Sequence, residues 1–233
     1  MTASIQAIGT AVPPFKTEQN DLIEFMTRHM GQDKRTARKI KALFNMSGIE
    51  SRYSVIPDFG SAQKDYQFFP GNTSLEPFPS THKRMAEYQQ HAKILAEEAA
   101  RKCFSEATVK PADITHLITV SCTGMYAPGL DIELVDLLGL STNTERTAIN
   151  FMGCYAAFNA LKVAKDIVTA NPDSHVLIVA VELCSLHFQK ENTDDTLLSN
   201  ALFGDGAAAV LVNASTAKSG KRLLFQGFHN DLD

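Results

Sequence analysis

The 233-residue chain is short of several things, and each shortage excludes a class of protein. It has four cysteines, Cys103, Cys122, Cys154 and Cys184, none close enough to another for a CxxC pair. No HxxxH or HExxH segment accompanies them, which argues against a zinc site and a disulfide framework. A surplus of positive charge is missing: Lys and Arg total 22 against 26 Asp and Glu, so the net charge is -4. Nucleic-acid binding is therefore not the expected main function. No uninterrupted apolar stretch approaches the roughly 20 residues of a membrane span. The N-terminus MTASIQAIGTAVPPFK lacks a basic segment followed by a long apolar run, so no signal peptide is expected. Reduced thiols in a cytoplasmic protein follow from these absences. Repeats and low-complexity tracts are also missing.

What is present is ordinary globular material, 44% apolar and 21% charged, enough for one large domain or two small ones. Ser4–Val12 reads as a strand closed by Pro13-Pro14. Thr17–Met30 reads as a helix with Thr17 at its N-cap and Leu22, Phe25, Met26 and His29 on one face. The basic segment Asp33–Ala42 has two readings, a solvated helix face or a patch that attracts a phosphorylated cofactor. Residues 58–80, broken by Gly60, Pro70, Gly71, Pro77 and Pro79, predict a surface excursion. Thr81–Phe104 is the clearest helix, with Met85, Tyr88, Ala92, Leu95, Ala99 and Cys103 on one stripe, which assigns Cys103 to the core.

After that helix, short apolar strands alternate with helices. Residues 115–121, 147–151, 176–181, 207–212 and 223–228 read as strands. Residues 131–138, ended by Gly139, and 158–170, stopped by Asn171-Pro172, read as helices. This alternation predicts a layered α/β domain whose sheet is covered on both faces. Asn213–Lys221 is the candidate linker, with a single strand after it.

Cys154 is the candidate nucleophile. It lies between an apolar strand and a helix, in Asn150-Phe-Met-Gly-Cys-Tyr-Ala-Ala-Phe-Asn159, after a glycine that permits a sharp turn. Helix N-terminal N–H groups and the helix dipole stabilise an anion by ~0.3–1 kcal/mol, and such a position activates a thiol. The alternative is a small core residue at a helix start.

Four blocks then occur in order: Ser121-Cys-Thr-Gly-Met-Tyr-Ala-Pro-Gly-Leu-Asp131, Leu138-Gly-Leu140, Gly153-Cys154, and Ala201-Leu-Phe-Gly-Asp-Gly-Ala-Ala-Ala209. Together, from about Ile5 to the C-terminus, they resemble the type III polyketide synthases, the chalcone and stilbene synthase family. Val176–Glu182 is similar to the family strand that ends in a glutamate. The resemblance implies a thiolase-like fold, in which two βαβαβαββ halves pack in five layers around a buried helix. Residues 1–213 would form the N-terminal catalytic-cysteine half, and residues 214–233 a linker and the first strand of the second half.

The implied activity is an acyltransferase that loads an acyl group from acyl-CoA and condenses it with malonyl-CoA-derived units, without prosthetic group or metal, as a homodimer. Cys154 falls on the nucleophile and Phe203 on the phenylalanine that gates the entrance and orients malonyl. Cys122, Ala127, Cys184 and His187 fall on cavity-lining positions, with Ala127 in the loop that reaches the neighbouring subunit. Lys39 falls in the basic region that contacts the phosphates of CoA, while two further cationic positions of the family are Ala42 and Met46 here. Lys41 or Arg38 is the candidate substitute.

Some local alternatives stay open. Phe203 also reads as core beside a turn. The three-residue spacing of Cys184 and His187 also suggests a dyad, although cavity walls fit better. Glu182 reads as a general base or as a satisfied buried carboxylate. Glu191–Thr196, with Asp194-Asp195, reads as a solvated loop.

The family's catalytic His and Asn come from its second half, and none of the seven histidines here stands in a His-Pro-Gly context. The expectation is a truncated chain that is inactive or limited to weak acyl loading, with condensation impaired because oxyanion donors contribute roughly 3–4 kcal/mol each. Two other functions compete: a ketoacyl synthase III-like condensing enzyme, and a non-catalytic acyl-CoA-binding or dimerising remnant.

Overall fold

The computed structural model describes residues 2–31, 33–215, 223–229 and 231. Its elements begin with β1 (Thr2–Ala11), β2 (Phe15–Glu18), α1 (Gln19–Met30), α2 (Lys34–Met46) and β3 (Ser51–Ser54). They continue with α3 (Thr81–Ser105), β4 (His116–Ser121), α4 (Leu130–Leu138), β5 (Glu145–Asn150) and α5 (Ala156–Ala170). Last come β6 (His175–Leu183), α6 (Asp194–Leu202), β7 (Asp205–Ser215) and β8 (Leu223–Leu224). The backbone gathers into two units, one of Met1–Ala11, Ala92–Val181 and Ala207–Asp233, the other of Val12–His91 and Glu182–Gly206.

The first unit is built on a six-stranded mixed sheet in the order β5-β4-β6-β7-β1-β8. β4 runs parallel to β5 and β6, whereas β1 is antiparallel to β7 and β8. The near-continuous apolar runs of β4 and β6 fit an interior parallel pair. Ala156, Ala160, Ala164 and Val168 recur every four residues along one face of α5. They pack on Ala3, Ile118, Val120, Val176, Ile178 and Val212 of the sheet. Helix α3 comes against the same sheet at Gly9, where an added Cβ would lie 2.2 Å from the Ala99 carbonyl oxygen and 2.3 Å from the Cys103 nitrogen. Cys103 is wholly buried, as its stripe predicts, and burial pushes its thiol up to about 11. Gly139 closes α4 in the left-handed conformation at φ 67°.

Two expectations shift in this unit. Asn213–Ser215 do not begin a linker; they continue β7, because the ten-residue β1 supplies partners Thr2–Ser4 for them. The expected strand 223–228 is strand only at Leu223–Leu224, where it pairs with Ile5 and Ser4 of β1. Linker positions 216–222 lie outside the described residues.

The second unit contains the β2–β3 antiparallel pair, the two helices α1 and α2, and α6. Leu22, Phe25, Met26 and His29 form the buried face of α1 as expected. Thr17 is not its N-cap: it is buried within β2, and the helix begins after Glu18 without a side-chain cap. Asp33 caps α2, accepting hydrogen bonds from the backbone N–H groups of Arg35 and Thr36.

The segment 58–80 is irregular and exposed over much of its length, as a surface excursion would be, but it is anchored by buried residues. Phe59, Phe68, Phe69 and Leu75 are buried in it. The Asp58 carboxylate makes this possible by accepting from the backbone N–H groups of Gln67 (2.9 Å), Phe68 (3.0 Å) and Phe69 (2.7 Å). A backbone without sheet or helix partners can be buried only when its donors are satisfied in this way. Phe25, Phe59, Phe69 and Phe188 then form an aromatic cluster, with Phe25–Phe59 centroids 4.8 Å apart and Phe69–Phe188 5.6 Å apart.

Candidate functional site

Cys154 lies in a single 3-10 turn, Gly153–Tyr155, that joins β5 to the N-terminus of α5. Gly153 has φ 65° and Phe151, two residues earlier, φ 59°. Left-handed backbone costs an L-residue roughly 1–2 kcal/mol, so the chain reverses here through one tolerated and one strained position. The turn presents Cys154 on the surface. Exposed apolar side chains surround it in sequence: Phe151 at 60% exposure, Met152, Tyr155 and Phe158. The alternative of a small core residue at a helix start is therefore not what forms; Ala156 occupies that buried position.

β4 and β5 leave the sheet side by side, with Ser121 opposite Asn150 and the Phe151 N–H donating to the Ser121 carbonyl at 3.3 Å. Cys122 is the next residue after β4. Its Sγ stands 3.6 Å from the Gly153 carbonyl oxygen, in the peptide that joins Gly153 to Cys154. The structure thus brings Cys122 to the peptide that precedes Cys154. Ala127 is exposed in the loop between β4 and α4. That loop is tied to α4 by Tyr126, whose hydroxyl donates to Glu133 at 2.5 Å.

The second unit carries the other candidates. Cys184 and His187 occupy the first and last positions of one 3-10 turn after β6, and both are half-buried. Ser185, between them, is held by Asp205, whose carboxylate accepts from the Ser185 N–H at 2.7 Å and hydroxyl at 2.5 Å. The same carboxylate accepts from the Val55 N–H at 2.8 Å. Burial pushes Asp205 up to about 6 against these donors, which favour the charged form.

Phe203 ends α6 and is 52% exposed, so it is not a core residue. Its carbonyl and that of Asn200 accept from the Arg52 guanidinium at 3.3 and 2.6 Å, and Arg52 also donates to Gln19 Oε1 at 2.9 Å. Desolvation lowers Arg52 to about 10.

Lys39 is paired with Asp194 in the first turn of α6. The expected solvated loop is therefore a helix start: Thr193 caps α6, and Asp194 and Asp195 sit where the dipole favours carboxylates. Ala42 and Met46 are exposed on α2. Sequence reasoning passed over Asp205 and Arg52. An acid between two glycines ahead of an apolar strand was the signal for the first; the second had none.

Among the described residues, no group of three or more His, Cys, Asp or Glu could hold a metal ion. No helix among them is long and apolar enough to cross a membrane.

Residues 1–216 match the family description "Chalcone and stilbene synthases, N-terminal domain". The chain belongs to this family. It is 36% identical over 228 residues to bisdemethoxycurcumin synthase of Oryza sativa subsp. japonica, covering 96% of this chain and 55% of that protein. It is 32% identical over 220 residues to type III polyketide synthase C of Arabidopsis thaliana, covering 93% and 56% respectively. Among solved structures, PKS-I from the brown alga Ectocarpus siliculosus superposes with a TM-score of 0.86 at 32% identity, over 94% of this chain and 58% of that one. The fold is the thiolase-like α/β fold of the type III polyketide synthases. The chain spans little more than half the length of these plant relatives.

Proposed function

We propose that this chain carries out the acyl-loading step of a type III polyketide synthase, with Cys154 as nucleophile. The observation that supports this most directly is the surface thiol at the strand-to-helix turn, at the head of α5. The Cys154 thiolate attacks the thioester carbonyl of an acyl-CoA, the carbon–sulfur bond to CoA breaks, and CoA leaves as its thiolate. The exposed Phe151, Met152, Tyr155 and Phe158 offer apolar surface to the acyl chain.

Phe203, Cys122, Ala127, Cys184 and His187 are the residues proposed to line the acyl cavity of the complete enzyme. Phe203 would gate its entrance and orient malonyl. Lys39 is proposed to meet the phosphates of CoA, which requires its ion pair with Asp194 to open. Condensation with malonyl-CoA-derived units, action as a homodimer and a cytoplasmic setting complete the proposal. No metal or prosthetic group enters it; acyl-CoA and malonyl-CoA are substrates.

The test is intact mass after incubation with hexanoyl-CoA. One hexanoyl adduct, absent in Cys154→Ala, is expected, and malonyl-CoA added afterwards reports any extension of that chain. A folded wild-type chain that never acquires the adduct would overturn the loading role.

A further inference from the structure

Cys122 and Cys154 form a pair that the acyl-loading chemistry does not require. Both are reduced in the structure. Two left-handed residues, Phe151 and Gly153, fold the chain after β5 back over the end of β4. This brings the Gly153–Cys154 peptide to 3.6 Å from Cys122 Sγ at its carbonyl oxygen. That oxygen is three bonds from the Cys154 Cα. A disulfide needs Cα atoms about 4.4–6.8 Å apart, and the approach of Cys122 Sγ to the peptide bonded to Cys154 is the observation that suggests this pair. The exposure of the two thiols differs in a useful sense. Cys154 is on the surface, at a helix N-terminus, where an oxidant can reach it, whereas Cys122 is half-buried behind the turn. Cys103, wholly buried with its thiol pushed up to about 11, is excluded from such chemistry.

We infer that Cys122 is a resolving thiol for Cys154, and that the pair is an oxidative modification site whose substrate is a small hydroperoxide. The Cys154 thiolate attacks one oxygen of hydrogen peroxide; the O–O bond breaks, hydroxide leaves and takes up a proton as water, and Cys154 becomes a sulfenic acid. The Cys122 sulfur then attacks the sulfenic sulfur. The S–S bond forms, the S–O bond breaks, and the oxygen leaves as a second water with the Cys122 proton. Two thiols lose two electrons and two protons, and the peroxide is reduced to two waters. The disulfide holds Cys154 one reduction step from its active form, short of the irreversible sulfinic and sulfonic acids. That protective role rests on Cys154 being the loading thiol. The disulfide itself does not, and it is read in protein that has met no acyl-CoA.

The experiment treats the folded chain with hydrogen peroxide, quenches with iodoacetamide, and measures intact mass and linked peptides. Alkylatable thiols are expected to fall from the four of the sequence by two, with a peptide joining Cys122 to Cys154 that dithiothreitol dissolves. Hexanoyl loading is expected to fall at least tenfold in parallel and to return on reduction. Cys122→Ala, checked for folding by its melting temperature, should drive Cys154 to the sulfinic acid and make the loss irreversible. Sulfinic acid at Cys154 in the wild type with Cys122 still alkylated would overturn the inference, as would a link through Cys184 instead. If hexanoyl loading is never seen, the peptide link still decides the question.

Discussion

Asp205 accepts hydrogen bonds from both the backbone N–H and the hydroxyl of Ser185, and it does so while buried. This one carboxylate fixes the turn that bears Cys184 and His187 and, through Val55, the end of β3. Removing it leaves three donors without an acceptor, at a cost of roughly 1–3 kcal/mol for each that stays buried. Asp205→Ala is therefore expected to lower the urea midpoint strongly, while Ser185→Ala, which leaves the carboxylate two N–H donors, should cost less.

The same group gives a pH prediction. Its folded value is raised from 3.8 to about 6 by burial, so the folded state binds the proton more tightly than the unfolded state. That contribution is fully present below the unfolded value and is lost as pH rises through about 6. On the order of 2–3 kcal/mol is at stake. Asp205→Asn cannot titrate, so the stability difference between wild type and Asp205→Asn should shift towards the variant from pH 4.5 to pH 7.5. Urea midpoints at the two pH values measure it, and a difference constant with pH would contradict the raised value.

Arg52 ties the Phe203 carbonyl to α1 through Gln19 and stacks over the Phe44 ring at 5.1 Å. Lysine cannot make this fork. Arg52→Lys should loosen residues 200–205 without unfolding the chain, seen as faster amide exchange at Phe203 and Gly204 at unchanged exchange in α5.

Gly9 tests the approach of α3 to the sheet. A methyl there meets backbone of Ala99, Lys102 and Cys103, which cannot turn aside. Gly9→Ala should cost several kcal/mol, above the usual ~1–3 for overpacking. Gly227→Ala, with open space around its Cβ, should fall within about 0.5 kcal/mol of wild type. Thermal melts of the two variants give the comparison.

Native alkylation should rank the thiols. Cys154 is expected to react first with iodoacetamide at pH 8, and Cys103 only after denaturation, since its thiol is buried and pushed up to about 11. Peptide mass after timed quenching gives the order.

Much of the first unit was legible in the residues because its elements carry regular apolar periods. The α3 stripe, the apolar runs of β4 and β6, and Gly139 each state one local preference that packing then keeps. The irregular elements were less legible. Residues 58–80 carry breakers that signal a loop, and nothing local announces that one carboxylate, Asp58, will satisfy three N–H groups and let Phe68 and Phe69 be buried. Asp194 read as solvated loop because its helix depends on the cap at Thr193 and on Leu197 and Ala201 finding a core. Thr17 failed as a cap because a strand partner far along the chain, Arg52, claimed its backbone first. The Cys154 turn was visible as Gly-Cys between a strand and a helix. The approach of Cys122 was not, since it depends on which strands are neighbours.

The alanines of α5 bear on how firmly the reactive turn is set. Ala156, Ala160 and Ala164 have no rotamers to exchange, so the helix rests on the sheet almost backbone to backbone. A Leu or Met seam would let the helix slide or tilt as its side chains repacked. A methyl seam works like a machinist's shim, thin and incompressible. The turn that bears Cys154, at the head of this helix, is thereby set in part by methyl contacts, with Leu161, Val163 and Ile167 packed beside them, and a single Ala160→Leu should displace it.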